Sequence, residues 1–432
     1  MNNFKLVIIA LLGFGGVLGV FVFAGFIDLE NKAVNTGPTG TVTMWGTAPS
    51  SVVNPLLIKF NQGKSYNVKY VSIIPQNFDQ ELLEAMAVGK GPDLFFLPDN
   101  LAFKYQNKIY PIPYTSYPLI NFKNTFVGAG EVFLNVKGVL AFPISIDPMV
   151  MYYNRSMLDS NNVVYPPVYW DEFYDFSNTF TKKDDSQQIT QSAFALGQYA
   201  NVSYAKDILA TLFMQTGSTI TGEQNGLLRS SLDNSLESNT NTASSLDFYT
   251  SFSNPLKPNY SWNRSLPMSI DAFSKEDLVF YFGFASDLKT LLDKNPNQDF
   301  QVTTIPQIRN TNNKVTSARV TGIAVSSFTK NLSASLAAVT ALSSGDFAKE
   351  YSNSQFVPPA RRDLLAEARK DSYFPVFYSS SLFARSWLDP SPSDSSNVFR
   401  AMVEEVLSNA KKPQDAIFSA NNRLNTLIFN TR

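Results

Sequence analysis

Alternating apolar and polar positions divide the chain, beyond its N-terminal stretch, into short strands and helices. Thr41–Trp45 alternates as a strand does, and Ser50–Gln62 carries apolar residues at helical spacing. The same criteria predict a strand at Val68–Ile74, a helix at Phe78–Val88 and a strand at Leu94–Leu97. Strands that alternate with helices in this way predict βαβ units, a mostly parallel sheet and an α/β fold.

The later part of the chain carries patterns of both kinds. Gly217–Thr250 is rich in Ser, Asn and Thr, which predicts a surface loop followed by a helix from Ser244. Val315–Ser327 is strand-like, and Ser333–Leu342 has the spacing of an amphipathic helix. Asn397–Phe429 carries periodic apolar faces and is predicted to be helical.

The segment Gly138–Asn154 predicts a strand, a sharp extended turn at Pro143 and a second strand. Tyr165–Phe173 follows with two prolines and the acidic residues typical of a helix start. We interpret this order as the point where the chain leaves one α/β lobe and enters another. By itself this segment predicts a boundary between two lobes.

A long apolar stretch precedes all of these elements. Leu6–Phe26 contains no charged residue and is long enough to span a bilayer, which takes about 20 apolar residues as a helix. Lys5 before it and Asp28 after it place the N-terminus inside the cell. We expect a single-pass membrane anchor at residues 1–27 and a tether at 28–40; a cleaved secretory signal is the alternative. Both put the remaining chain outside the cytoplasm.

Composition narrows the possible chemistry. The 432 residues suffice for two domains, and 44% hydrophobic with 16% charged residues is typical of a folded protein. A net charge of −1 gives no field that would attract nucleic acid. The chain has no Cys and no His, which excludes disulfides, thiol nucleophiles and the usual zinc ligands. Carboxylate catalysis and oxygen-liganded calcium remain open, although Asp184-Asp185 in a polar run favours a solvated loop.

The order of several segments across about residues 40–430 resembles the extracellular solute-binding proteins of sugar-type ABC transporters, typified by maltose-binding protein. The segments that carry the resemblance are Ala85–Leu97 with its Gly-Lys-Gly-Pro-Asp turn, Ala141–Pro143, Tyr152–Asn154, Pro166–Glu172, Ala272–Phe284, Arg319–Ser327 and Gln355–Arg361. Two departures stand out. Ser274-Lys-Glu-Asp replaces small residues of the family pattern, and the family's lipid-attachment cysteine is absent. The N-terminal apolar stretch would take the place of that lipid anchor.

The resemblance implies a periplasmic-binding-protein-like fold of type II, with two α/β lobes joined by a three-crossing hinge and a ligand cleft between them. The crossings are expected near Ile144–Asp147, Ser261–Phe273 and Val320–Ser326. Lobe 1 is expected to contain residues 41–144 and 274–322, and lobe 2 residues 145–273 and 323–432.

Strand ends and aromatic residues give the candidate ligand contacts. Sugars require aromatic platforms together with Asp, Asn or Arg side chains that hydrogen-bond paired hydroxyls. Asp147 matches an acidic family position, and Phe284 matches an aromatic one. Helix caps, turns and the core are the alternative roles for each candidate. The candidates are Trp45, Thr47, Asp99, Asn100, Asp147, Tyr199, Asn201, Tyr281, Phe284 and Trp387, with Arg385 and Asp389 beside the last.

The resemblance thus predicts a monomeric, membrane-anchored receptor that binds a sugar or other small solute and delivers it to an ABC permease. No cofactor, metal, catalytic residue or nucleic-acid partner is expected. Two alternatives remain at this point. One is a surface adhesin or sensor that does not transport, and the other is a hydrolase with two carboxylates about 5–9.5 Å apart.

Overall fold

The computed structural model describes residues 38–224, 227–233, 242–311, 313–367 and 369–431. The predicted anchor at 1–27 and the tether up to residue 37 lie outside the described residues. No helix within those ranges is both long and apolar enough to cross a membrane.

The strands, numbered in chain order, are β1 (Gly40–Gly46), β2 (Tyr66–Ser72), β3 (Leu94–Pro98), β4 (Leu134–Asn135), β5 (Gly138–Val139), β6 (Ala141–Asn154), β7 (Lys182–Lys183), β8 (Ile189–Phe194), β9 (Thr221–Gln224), β10 (Leu227–Ser230), β11 (Leu278–Phe284), β12 (Phe300–Thr304), β13 (Thr316–Val325) and β14 (Ala384–Arg385). The α-helices are α1 (Ser50–Asn61), α2 (Phe78–Ala87), α3 (Ala102–Tyr105), α4 (Leu119–Thr125), α5 (Arg155–Ser160), α6 (Phe173–Phe180), α7 (Ala205–Gln215), α8 (Thr242–Ser251), α9 (Ser269–Ser274), α10 (Asp287–Lys294), α11 (Leu332–Leu342), α12 (Gly345–Ser354), α13 (Arg362–Leu365), α14 (Phe374–Phe383), α15 (Pro392–Leu407) and α16 (Pro413–Asn430). Short 3₁₀ helices lie at Asp99–Leu101, Gly128–Phe133 and Trp170–Glu172.

Lobe 1 is built on a sheet of order β2-β1-β3-β13-β6. Its first three strands are parallel, as the βαβ pattern predicts, and β13 is antiparallel to β3. Val42 and Met44 on one face of β1 are fully buried beside Ala338 and Val339 of α11. The predicted strands and helices of this region are confirmed to within two residues at their ends.

Lobe 2 is built around the second half of β6. That half pairs with β11 on one side and β12 on the other, and β8 runs parallel to β11. Aromatic rings fill its interior, with Phe194 stacked on Phe173 at 3.8 Å and on Phe280 at 4.9 Å between ring centroids. Most phenylalanines of lobe 2 are therefore part of its packed core.

Three chain segments connect the lobes. β6 and β13 are antiparallel neighbours from Ala141 to Pro148, so both strands belong to both lobes. The third connection lies between α13, where Arg362 Nε donates to the Phe126 carbonyl of lobe 1 (2.8 Å), and α14, where Phe377 packs against Tyr152 of lobe 2 (6.4 Å between ring centroids). The three crossings define the boundary between the two lobes.

Two expectations about the crossings were wrong. No turn occurs at Pro143; β6 continues through it, and the register with β13 shifts between Thr321 and Gly322, which leaves Ile144 as an extra residue. A bulge accommodates proline, which has no N–H for the ladder. The crossing expected near Ser261–Phe273 lies inside lobe 2, where the Ser261 hydroxyl donates to the Phe194 carbonyl.

The expected division of the chain into lobes also needs correction. Residues 274–322 were assigned to lobe 1, but β11 pairs with β8 and with the lobe 2 half of β6. Residues 323–432 were assigned to lobe 2, but α11 and α12 pack in the lobe 1 core with β1. The chain returns to lobe 1 with β13 and goes back to lobe 2 after the third crossing.

The Ser/Asn/Thr-rich segment contains structure that its composition does not predict. Thr221–Gln224 and Leu227–Ser230 pair as an antiparallel hairpin rather than forming a loop. Asn425 of α16 accepts a hydrogen bond from Ser230 N–H at 3.0 Å, which attaches the hairpin to lobe 2. The predicted helix from Ser244 is present as α8.

We expect Phe194→Ala to destabilise lobe 2 by about 3–5 kcal/mol, because it leaves a cavity in a fully buried ring stack. Urea unfolding followed by circular dichroism measures this loss. Tyr165→Ala is the control, since that side chain is 78% exposed and its removal should cost less than about 0.5 kcal/mol. Equal losses in the two variants would contradict this description of the core.

Candidate functional site

A polar cavity of about 460 Å³ lies between the lobes, at the carboxyl ends of β1 and β3 and beside the crossing strands. Open α/β sheets present ligands at this position, where strand ends leave polar side chains facing a crevice. The charged side chains that line it are Asp99, Asp147, Lys206, Asp207, Arg319, Arg385 and Asp389. The aromatic ones are Phe78, Phe96, Tyr351 and Trp387.

Arg319 lies at the centre of this site, on β13 directly opposite Asp147 of β6. Its side chain is 47% exposed, while its neighbours Ala318 and Val320 are buried. The guanidinium stacks on the Phe284 ring (4.0 Å to the centroid) and ion-pairs with Asp207 (3.7 Å). These contacts hold one positive charge at the crossing of the lobes.

Two carboxylates flank Arg319, one buried and one half-buried. Asp99, which is only 7% exposed, accepts a hydrogen bond from the Ser386 hydroxyl. Asp147 accepts from the backbone N–H of Ser286 (2.9 Å) and from its hydroxyl (2.6 Å). Burial raises the pKa of Asp99 and of Asp147 to about 6, although the serine hydrogen bonds and the charge of Arg319 oppose the shift.

A third carboxylate supports the floor of the cleft from below. Asp287 accepts hydrogen bonds from the hydroxyls of Tyr204 (2.8 Å) and Tyr281 (2.9 Å) and from the Phe284 N–H (3.1 Å). Burial raises its pKa as well, in spite of these donors. The result is a fixed layer of rings beneath the Arg319 guanidinium.

The segment from β14 to α15 forms the lobe 2 wall of the cleft, because β14 pairs with the first residues of β13. Asp389, which is 4% exposed, pairs with Lys206 at 2.7 Å. Trp387 stacks on Phe399 with 6.2 Å between ring centroids and remains half-buried at the cavity. The indole is thus held in place by lobe 2 while part of it faces the cleft.

These groups suit a ligand with many hydroxyls. The carboxylates accept hydrogen bonds, the guanidinium and ammonium groups donate them, and Trp387 offers an apolar ring face. Within the described residues, no cluster of three His, Cys, Asp or Glu side chains could hold a metal ion. Asp184 of the candidate pair instead caps a local turn, accepting from the N–H groups of Ser186 and Gln188 at 2.9 Å each.

Comparison with known families identifies the architecture. Residues 56–375 match the family model of bacterial extracellular solute-binding proteins. The chain belongs to this family. No curated protein matches this solute-binding protein.

Solved structures share the fold of this solute-binding protein at low sequence identity. A cyclic α-maltosyl-1,6-maltose-binding protein from Arthrobacter globiformis superimposes with a TM-score of 0.75 at 13% identity, covering 91% of this chain and 100% of its own. A Staphylococcus aureus extracellular solute-binding protein in complex with maltose gives 0.71 at 15%, covering 90% and 98%. A Thermotoga lettingae ABC transporter solute-binding protein bound with α-D-tagatose gives 0.63 at 17%, covering 90% and 100%. These likenesses show the periplasmic-binding-protein-like fold.

Half of the predicted site residues line the cleft of the solute-binding protein. They are Thr47, Asp99, Asn100, Asp147 and Trp387. The structure brings them together from the ends of β1 and β3, from the crossing, and from the segment before α15. Their contact with a ligand stays a prediction.

The structure places the other five candidates outside the cleft lining. Trp45 packs against the larger core on the face of β1 opposite Met44. The Tyr199 hydroxyl bonds to the Ser396 hydroxyl (2.7 Å) within lobe 2. The Asn201 amide donates to two backbone carbonyls at 2.9 Å each, which fixes a lobe 2 loop.

Tyr281 and Phe284, the last two candidates, are buried in the protein interior. Both are at most 1% exposed, because β11 lies between two neighbouring strands and is buried on both faces. They lie one layer beneath the cleft, where Phe284 supports the guanidinium of Arg319. A continuous apolar strand offers no sequence signal that separates this layer from the cleft surface.

Sequence reasoning missed Arg319 and the serines that donate hydrogen bonds to the two cleft carboxylates. Arg319 stood within a segment quoted for the family resemblance, yet nothing local marked its side chain as facing the cleft. Ser286 and Ser386 are common surface residues in sequence, and only the tertiary contacts reveal them as carboxylate partners. Lys206-Asp207 at the start of α7 was a detectable signal, since charges that open a buried helix need partners.

The raised pKa of Asp99 predicts a pH-dependent difference between the wild type and Asp99→Asn. An unfolded aspartate titrates near pH 4, so between about pH 4 and 6 the folded state binds more protons. The Asp99 contribution to stability therefore falls as pH rises through that window, by at most about 3 kcal/mol. Relative to wild type, the melting temperature of Asp99→Asn should increase from pH 4.5 to pH 7.5.

Asp185→Asn, which changes an exposed carboxylate, should follow the wild type at both pH values. A difference between Asp99→Asn and wild type that is the same at pH 4.5 and pH 7.5 would show that the Asp99 carboxyl is not perturbed.

Proposed function

We propose that this chain binds a saccharide in the cleft between its lobes, as the receptor of an ABC importer. The observation that carries the proposal is the combination of the half-buried Trp387 ring with Asp99, Asp147 and Arg319 around one cavity. An indole face matches the apolar face of a sugar ring, and the charged groups match its hydroxyls. Structures of the same fold that bind maltose and tagatose support this ligand class.

Hinge closure would complete the site. Asp99 belongs to lobe 1 and Trp387 to lobe 2, while Asp147 and Arg319 are on the crossing strands. A rotation that brings the lobes together would press the ligand between these groups and exclude water from it. The closed form would then be recognised by the permease as the loaded state.

A binding role explains the cleft carboxylates better than hydrolysis does. A glycosidase needs two carboxyl groups whose environments push their pKa values apart, so that one is an acid and the other a base. Asp99 and Asp147 instead have similar surroundings: both accept serine hydrogen bonds, both are near Arg319 and both have a pKa near 6. Incubation with oligosaccharides followed by product chromatography should show no cleavage.

We predict that saccharides stabilise the protein and that Trp387→Ala removes about half of this effect or more. A ligand at about 100 times its Kd adds roughly 2.7 kcal/mol to the free energy of unfolding, so a melting-temperature screen of neutral and acidic sugars detects it. Loss of the aromatic platform should weaken binding about tenfold or more in calorimetry. Phe418→Ala removes a 55% exposed ring outside the cleft and should bind normally.

The proposal fails if no saccharide shifts the melting temperature of the wild type. It also fails if Trp387→Ala and Phe418→Ala bind equally well, because the ligand would then be somewhere other than the cleft.

We infer that residues 6–26 anchor the receptor in the membrane with the binding domain on the extracytoplasmic side. The uncharged stretch and its flanking charges support this orientation. The full chain should fractionate with membranes and be cut by protease added to intact spheroplasts, and deletion of residues 6–26 should make it soluble. Recovery of the full chain in the soluble fraction would count against the anchor.

A further inference from the structure

Of the positively charged side chains that line the described cleft, two are already neutralised. Lys206 pairs with Asp389 at 2.7 Å and also donates to the Ser395 hydroxyl at 3.1 Å. Arg319 pairs with Asp207 and stacks on the ring of Phe284. Each of these cations has a protein partner, so neither requires a charge from the ligand.

Arg385 differs from both. One guanidinium nitrogen, Nη1, donates to the carbonyl of Ala384 at 2.9 Å, and no carboxylate of the described chain lies within 4.0 Å of the group. The side chain is exposed at the cleft. It lies against Gly128 of lobe 1, where a Cβ atom would come within 2.5 Å of Nη1. The absence of a side chain at position 128 leaves room for the guanidinium between the lobes.

The position of Arg385 gives it access to two cavities. It lines the cleft and also an adjoining cavity of about 390 Å³, together with Ser386 and Trp387. The other ionisable side chain described around that second cavity is Glu131, which pairs with Lys123 at 3.2 Å. A positive charge without a protein counter-ion thus faces space that a ligand can occupy.

The cleft carboxylates fix where an anionic group would fit. Asp147 lies opposite Arg319 and Asp207 ion-pairs with it at 3.7 Å, so these two carboxylates would repel an anion at that guanidinium. Arg385 is two residues before Trp387 on the same wall, so a ring stacked on the indole could direct a substituent toward the guanidinium. The hydroxyls of that ligand would then remain for the carboxylates.

We propose that Arg385 is a specificity-determining residue and that the preferred ligand is an acidic saccharide with a carboxylate on a sugar unit. A planar guanidinium binds a carboxylate through two parallel hydrogen bonds, which a neutral sugar cannot replace. This proposal rests on the proposed function and deepens it. It assigns a charge to the ligand that the fold does not imply.

The test compares acidic oligosaccharides with their neutral forms by calorimetry. The probes are trimers of galacturonate, glucuronate and mannuronate and the carboxyl-reduced trimer of each. At least one acidic trimer should bind the wild type tenfold or more tightly than its reduced form, with affinity that falls as salt is added. Arg385→Gln should lose this preference, so that it binds the acidic and the neutral trimer about equally, and Arg385→Lys should retain part of the preference.

Arg264→Gln is the matched control, because it removes one exposed positive charge from lobe 2 outside the cleft. Arg264→Gln should keep the full preference for the acidic trimer. This result would distinguish an effect of the local Arg385 contact from an effect of the protein's net charge. Equal binding of acidic and neutral trimers by the wild type, or an unchanged preference in Arg385→Gln, would overturn the role of Arg385 but leave saccharide binding intact. Binding of no saccharide at all would overturn the proposed function as well.

Discussion

The antiparallel pairing of β6 with β13 is the constraint on which the rest of the structure depends. The pairing runs from Ala141 opposite Ala324 to Pro148 opposite Ala318, and each strand enters both lobes. It therefore joins the two sheets, sets where their edges meet and puts Arg319 opposite Asp147. Because a shift of one residue would turn each side chain to the other face, the ladder itself decides which groups reach the cleft.

Placing charged side chains where β6 and β13 cross between the lobes costs free energy. Ordinary packing at the crossing would be apolar, yet Asp99 and Asp147 are held there in surroundings that disfavour their charged forms. Serine hydroxyls and one arginine offset part of that penalty, and the remainder is what a ligand rich in hydrogen-bond donors could relieve. Such an uncompensated desolvation penalty is expected at a binding site rather than in a structural core.

Local pattern predicted the elements of lobe 1 well because periodicity is a local property, and β1, α1, β2, α2 and β3 follow one another in sequence. It could not predict which lobe receives β11, since a strand of seven buried residues fits either sheet. For the same reason, local pattern could not separate the candidates that line the cleft from those that are buried. Trp387 stood in a polar segment that ends at a proline and Asp99 at the carboxyl end of a predicted strand, whereas Tyr281 and Phe284 were in an apolar run whose depth depends on distant strands.

Arginines 319 and 385 show most clearly what tertiary structure adds. In sequence both arginines follow an alanine, Arg319 in a strand-like segment and Arg385 in a polar segment that ends at a proline. In the fold, one is surrounded by Asp207, Phe284 and the crossing carboxylates, while the other has a backbone carbonyl as its partner. Since an ion pair with the protein competes with an ion pair to a ligand, the same side chain becomes a structural counter-charge in the first position and a free recognition group in the second. The chemistry of this cleft is therefore decided less by which charges line it than by which of them the protein has already paired.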